Sequence, residues 1–307
     1  MDIPFDGEKV LSGMERDGLQ VKDRAFARVV LEEVSGFHLQ EFGRPFLEEG
    51  QEAYRAGTTF EMVYESYRAD RFCKNFLFDY LAEIEVQLRN LLGGVLQEAY
   101  GNFGYLKAEN FQEADHHSHF MNDIKLELDR ANEPYVNRAR KKYGDQLPIY
   151  IAVELLTFGE LAKLYQNMKS SEKAAINGFY GFVSQGEAGE MEGVFASYLE
   201  ALTFLRNTCA HHGRLSNRAF PDACLLLAPV DQSILAKEEP GFVCNERGLF
   251  ANILAMTHLL HPDKGAGLAR NFEKLFESYP TFDLNWMNFP HHWEEVLAEV
   301  RQARKRG

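Results

Sequence analysis

The chain has 307 residues, 45% of them hydrophobic, enough to bury a sizeable core without a disulfide or metal staple. Its 46 acidic and 33 basic residues leave a formal net charge of -13, which weighs against a broadly basic surface, so any phosphate contact must come from a local patch. No apolar run reaches the roughly 18 residues of a membrane span, and Asp2, Asp6 and Glu8 stand where a secretion signal carries basic side chains; the expectation is a cytoplasmic protein with no membrane partner.

In chain order, the first strong periodicity is Leu77, Leu81, Ile84, Leu88, Leu91 and Val95. Their three- and four-residue steps predict a long amphipathic helix over about 60–100, ended by Gly101 and Gly104. Helical segments follow over 111–142 and 149–168. The same period in Val194, Tyr198, Ala201, Leu205 and Thr208 predicts a helix that begins from the glycine-rich stretch near Gly186 and is stopped by Gly213. Two further helices are predicted over 249–260 and 292–304. Only 223–228 and 241–244 admit a short β reading, so the predicted class is all-α with few or no short strands. No repeat, low-complexity tract or linker divides the chain, which reads as one unit over 1–307. Cys73, Cys209, Cys224 and Cys244 form no C-x-x-C pair and read as reduced and mostly buried.

The segment Arg206-Asn207-Thr208-Cys209-Ala210-His211 holds an R-N-x-x-x-H pattern, followed by His212, Gly213, Arg214, Asn217 and Arg218. RNA is cut without metal when its own 2′-OH attacks the adjacent phosphate. That needs a proton acceptor, a proton donor and positive charge on the phosphorane. An imidazole titrates near neutrality and a guanidinium grips phosphate oxygens with a planar fork, so His211 and Arg206 suit these roles. On a helix Asn207 and His211 share a face, with Arg206 about 100° away, so one helix lines a groove without closing it. In the last turn before Gly213 the helix dipole favours a protonated His211. His212 faces away from Asn207 and is the lesser candidate, with a surface imidazole as its plain alternative. Asn207 either orients the imidazole or phosphate or caps the helix.

This pattern resembles the catalytic motif of the HEPN superfamily, and the longer string from Arg206 to Arg218 resembles, more narrowly, the Abi-like family of abortive-infection proteins. The likeness extends in order through Thr58-Thr59-Phe60, Tyr67-Arg68-Ala69-Asp70-Arg71, Ile84-Glu85-Val86-Gln87-Leu88-Arg89, Leu147-Pro148-Ile149-Tyr150, Thr157-Phe158-Gly159 and Met287-Asn288-Phe289-Pro290 with Trp293. It departs at Tyr150, where tryptophan is expected, and at Asn288, where glycine is. The resemblance implies a HEPN-type helical bundle with its core at about 58–220 and a family-specific helical part at about 221–307. It implies a metal-independent endoribonuclease toxin that needs no cofactor, and a homodimer that joins two motifs in one composite cleft. It also implies a cognate antitoxin, RNA or protein. The runner-up is a non-catalytic HEPN module that binds RNA or a partner protein.

Supporting residues keep two readings. Arg71, Glu85 and Arg89 fall on one stripe, since the arginines are eighteen residues, or about five turns, apart. Either the arginines hold RNA phosphates with Glu85 positioning them, or Glu85 and Arg89 form an ordinary i,i+4 pair worth about 0.2–0.5 kcal/mol. Arg214 or Asn217 is expected at a cleft edge. Asp115-His116-His117-Ser118-His119 reads as a solvated loop; the alternative, a metal-dependent hydrolase, lacks a second set of ligands nearby in sequence. Phe76, Phe78 and Tyr80 read as packing residues. Arg301, Arg304, Lys305 and Arg306 read as an RNA contact or a frayed end.

Overall fold

A computed structural model describes residues 7–182, 189–220 and 225–306. Every regular element among them is helical: α1 (Gly7–Arg16), α2 (Arg24–Glu33), α3 (Gly36–Gly43), α4 (Phe60–Tyr100), α5 (Ala114–Arg130), α6 (Pro134–Tyr143), α7 (Ile149–Ala152), α8 (Phe158–Asn167), α9 (Ser170–Phe179), α10 (Glu190–Ala210), α11 (Pro229–Glu238), α12 (Leu249–Leu259), α13 (Pro262–Ser278) and α14 (Trp293–Arg306). β pairing among the described residues is confined to isolated bridges such as Gln20 with Thr59. The all-α expectation holds.

α4 is 41 residues long, about 60 Å, and forms the spine. Thr59 caps its start, its hydroxyl accepting from the Met62 N–H, and Gly101 ends it at φ 73° with its N–H on the Gln97 carbonyl. Ala69, Cys73, Leu77, Leu81, Ile84, Leu88, Leu92 and Leu96 are all buried along one stripe. Burying each aliphatic side chain contributes about 1.5–3 kcal/mol. α4 packs against α3, α7, α9, α10 and α13. α12 is predominantly apolar and every residue of it is buried, Asn252, Thr257 and His258 included, so it runs through the main core, touching α4, α10, α13 and α14. α1 to α3 bury Leu11, Met14, Leu31, Leu39 and Phe42 against Phe60 and Val63 at the start of α4, making a second, smaller core.

The helix predicted over 111–142 is two: Pro134 opens α6 at a position where its missing N–H costs nothing. That over 149–168 is broken by a 3-10 turn at Val153–Leu155 and restarted at Thr157, which forms a capping box with Glu160. The first turns of α5 carry Asp115 to His119, correcting the solvated-loop reading. His117 is buried, with Nε2 2.9 Å from the Tyr105 carbonyl. Residues 241–244 form no strand. Of 223–228, positions 223 and 224 lie outside the described residues, as do Cys224 and Gly186, and 225–228 are irregular. At the chain end, Arg301 and Arg304 are partly buried in α14 rather than frayed. Asn288 has φ 57°, a left-handed backbone that glycine and asparagine tolerate best, which accounts for the expected glycine at this position.

Candidate functional site

The C-terminal end of α10 lies against the middle of α4. Leu205 and Cys209 are buried, which turns Arg206 to the flank facing α4 and leaves Asn207 exposed. Arg206 Nε is 3.5 Å from Glu85 Oε2, and its guanidinium carbon is 5.8 Å from the centre of the Phe78 ring. The other Glu85 oxygen pairs with Arg89, which donates to the Leu156 carbonyl through Nε at 3.2 Å and Nη2 at 2.8 Å. One nearly buried carboxylate therefore carries two guanidinium groups, and the cluster keeps a net positive charge. Arg206 remains 31% exposed, and with Phe78, Ala82, Glu85, Val86 and Arg89 it lines a hollow of about 200 Å³. Arg206 Nη1 also donates to Asn207 Oδ1 at 3.4 Å.

α10 ends in a Schellman reversal: the His212 N–H donates to the Cys209 carbonyl at 3.3 Å and the Gly213 N–H to the Thr208 carbonyl at 2.8 Å. The left-handed place in that motif usually belongs to glycine. Here it is His212, at φ 58°. Gly213 is required for space, because a Cβ there would come 2.9 Å from Thr208 Cγ2. His211 is exposed and caps the helix, its N–H on the Asn207 carbonyl at 2.9 Å, so it stands just beyond the last turn where the sequence placed it.

Two buried residues of α4 hold this reversal in place. Asp70 Oδ1 accepts the N–H groups of Leu215 and Ser216 at 2.9 and 2.8 Å, and Oδ2 lies 3.0 Å from Lys74 Nζ. Lys74 donates in turn to the carbonyls of His212 and Gly213 at 3.3 and 3.2 Å. Sequence reasoning carried Asp70 only as part of a resemblance and missed Lys74. The available signal was an Asp-x-x-x-Lys pair set in the buried phase between Ala69, Cys73 and Leu77.

Arg71, Lys74, Phe78 and His212, with His38 from α3, line a second hollow of about 500 Å³. Burial, then the neighbouring Lys74, holds the His38 imidazole below its usual pKa. Phe78 borders both hollows and is 40% exposed, which corrects its reading as a packing residue. Phe76 does pack, edge-on to Phe272 at 5.0 Å. The structure thus joins Arg206 to Glu85 and Arg89, and His212 to Arg71, while His211 lines neither hollow. Arg214 is taken up by α3, donating to the Glu41 carbonyl and standing 3.8 Å from its carboxylate. Asn217, at φ 48°, is exposed and its N–H donates to the Trp286 carbonyl at 2.6 Å. His116, His119, Asp123 and Glu160 border a separate hollow of about 370 Å³, yet no group of three or more His, Cys, Asp or Glu among the described residues is arranged to hold a metal ion.

Fold and site together define an all-helical protein with an arginine and two histidines presented at one helix terminus, clamped from beneath by a buried ion pair. The Abi-like protein family matches residues 29–217, and the chain belongs to this family. The matched span runs from within α2 to the loop after α10 and includes all the residues that line the two hollows beside α10, together with the Asp70 and Lys74 clamp. Comparison with curated proteins and with solved structures gives no match. Membership points to abortive infection, a form of phage defence.

Proposed function

We propose that the protein is a metal-independent endoribonuclease toxin of an abortive-infection system, acting on RNA in the cytoplasm. The observation that carries this reading is the Arg206 guanidinium, which is paired with Glu85 at the mouth of a hollow, donates to the exposed Asn207 and lies on the same helix end as the exposed His211. In the reaction the RNA 2′-oxygen attacks its own phosphorus and gives its proton to an imidazole. The bond from phosphorus to the 5′-oxygen breaks, and that oxygen takes a proton from an imidazolium. Arg206 offsets the negative charge that builds on the phosphorane, and Asn207 orients the guanidinium. His211 transfers the proton. Acid and base both require an imidazole, and Phe204, Asn207 and His211 lie on the open side of α10. A homodimer packed across that side supplies a His211 from each copy to a composite cleft. RNA is the substrate, Arg71 and Arg89 are phosphate contacts at either end of the α4 stripe, and a cognate antitoxin, RNA or protein, restrains the toxin by covering this face.

End-group analysis of RNA cut by the purified protein in EDTA tests this directly. Fragments ending in a 2′,3′-cyclic phosphate and beginning with a 5′-hydroxyl are expected; 5′-phosphate fragments, or loss of cleavage in the chelator, contradict it. The net charge of -13 favours a second reading, a non-catalytic module that binds RNA or a partner protein, and binding without cleavage in the same assay supports that one.

A further inference from the structure

At the far end of α10 from Arg206, about 24 Å along the helix axis, a cavity of about 620 Å³ opens between the first turn of α10 and helices α11, α12 and α14. Its wall mixes apolar, aromatic and polar surface, with Tyr180, Phe182, Met191, Val230, His258 and Arg304 on the lining. Two polar groups in that wall have no hydrogen-bond partner among the described residues. Tyr180 is 1% exposed and its hydroxyl makes no hydrogen bond; Arg304 Nη1 is buried and equally unbonded. The Arg304 guanidinium carbon lies 5.7 Å from the centre of the Tyr180 ring, so both free donors belong to one patch. Buried donors are almost always paired, and neither of these meets an acceptor among the described residues.

Burial pulls the Arg304 pKa down and Tyr180 pushes it back, and among the described residues no carboxylate pairs with its guanidinium. Glu190 is on the lining but exposed, and no ion pair among the described residues joins it to Arg304. Behind the wall, His258 is fixed by Asp231, with Nε2 2.7 Å from Oδ1, and the other Asp231 oxygen accepts from the Tyr198 hydroxyl at 2.9 Å. Asp231 is thus fully engaged by its own neighbours.

We propose that this cavity binds a small organic anion, a carboxylate or phosphate group on a flat, largely apolar body. The anionic oxygens accept from Arg304 and Tyr180, and the body lies along Phe182, Met191 and Val230. The site is independent of the nuclease reading, since it shares no residue with the cluster around Arg206.

The test is calorimetric titration of the full-length protein at constant ionic strength with benzoate and with adenosine 5′-monophosphate, against their neutral counterparts benzamide and adenosine. Arg304→Gln and Tyr180→Phe serve as variants. Tyr180→Phe removes an unbonded hydroxyl and Arg304→Gln an unpaired charge, so both are expected to fold. At least one anion should bind about tenfold more tightly than its neutral counterpart, and Arg304→Gln should lose that advantage while Arg206→Ala keeps it. Tightening by benzoate alone identifies a carboxylate ligand, and by the nucleotide alone a phosphorylated one. The proposal fails if neither anion outbinds its neutral counterpart, or if Arg304→Gln binds the anions as tightly as the wild type.

Discussion

Glu85 Oε2 lies 3.5 Å from Arg206 Nε, and through Oε1 the same carboxylate pairs with Arg89. Two arginines from two helices are thus oriented by one nearly buried acid. Glu85→Gln keeps the shape and removes the charge, leaving two guanidinium groups facing each other. It should lower stability by about 1–2 kcal/mol and reduce RNA cleavage by at least about tenfold. Urea unfolding and a cleavage time course measure both; wild-type behaviour in the two assays removes Glu85 from the positioning of Arg206.

Asp70 and Lys74 tie α4 to four backbone groups of the loop after α10. Asp70→Ala or Lys74→Met alone leaves an uncompensated buried charge and should cost about 3–5 kcal/mol. The double variant removes both charges but still strands the loop's backbone groups. It should therefore cost clearly less than the sum of the single changes, yet not recover wild-type stability. A double-mutant cycle in urea gives the number, and strict additivity contradicts the clamp.

His212 occupies a left-handed position at φ 58° where glycine costs less. His212→Gly should leave stability unchanged or raise it by up to about 1 kcal/mol. If its imidazole serves the hollow it shares with Arg71, RNA binding should weaken in the same variant. Filter binding together with thermal unfolding separates the two effects; a destabilised variant with intact binding contradicts this account of the residue.

The spine and the motif were legible in the sequence because their signals are local. Leu77 to Val95 repeat at helical steps over many turns, and R-N-x-x-x-H lies on one helix end. What was not legible depends on contacts between distant segments. Lys74 meets the loop at His212 across more than a hundred residues of chain. Phe78 is left open because Arg206 arrives beside it, which no period on α4 reveals. The short helices α1 to α3 carry too few turns for their periodicity to stand out, and they are fixed by burying Leu39 and Phe42 against the start of α4. Pro134 was a readable stop that the apolar period on either side of it obscured.

Burial pushes the Cys209 thiol up to about 12 and the Cys73 thiol well above its usual value. These thiols hold their protons to higher pH in the folded protein than in the unfolded one. Their contribution is intact below about pH 9 and is lost as pH rises toward 12. Tyr105, also pushed up to about 12, acts in the same direction from pH 10 upward. Urea midpoints should hold steady to about pH 9 and then decline. Iodoacetamide at pH 8 should leave Cys73 and Cys209 unmodified in the native protein, as read by peptide mass spectrometry. Rapid alkylation of either contradicts this.

The central claim is that Arg206 and His211 perform the chemistry, and the most direct measurement compares wild type with Arg206→Ala and His211→Ala. Growth is followed on induction, and total RNA is incubated with each purified protein in EDTA. Only the wild type should arrest growth and cut RNA despite the chelator, with both variants folded as judged by their unfolding midpoints. If all three proteins behave alike, catalysis by this pair is contradicted.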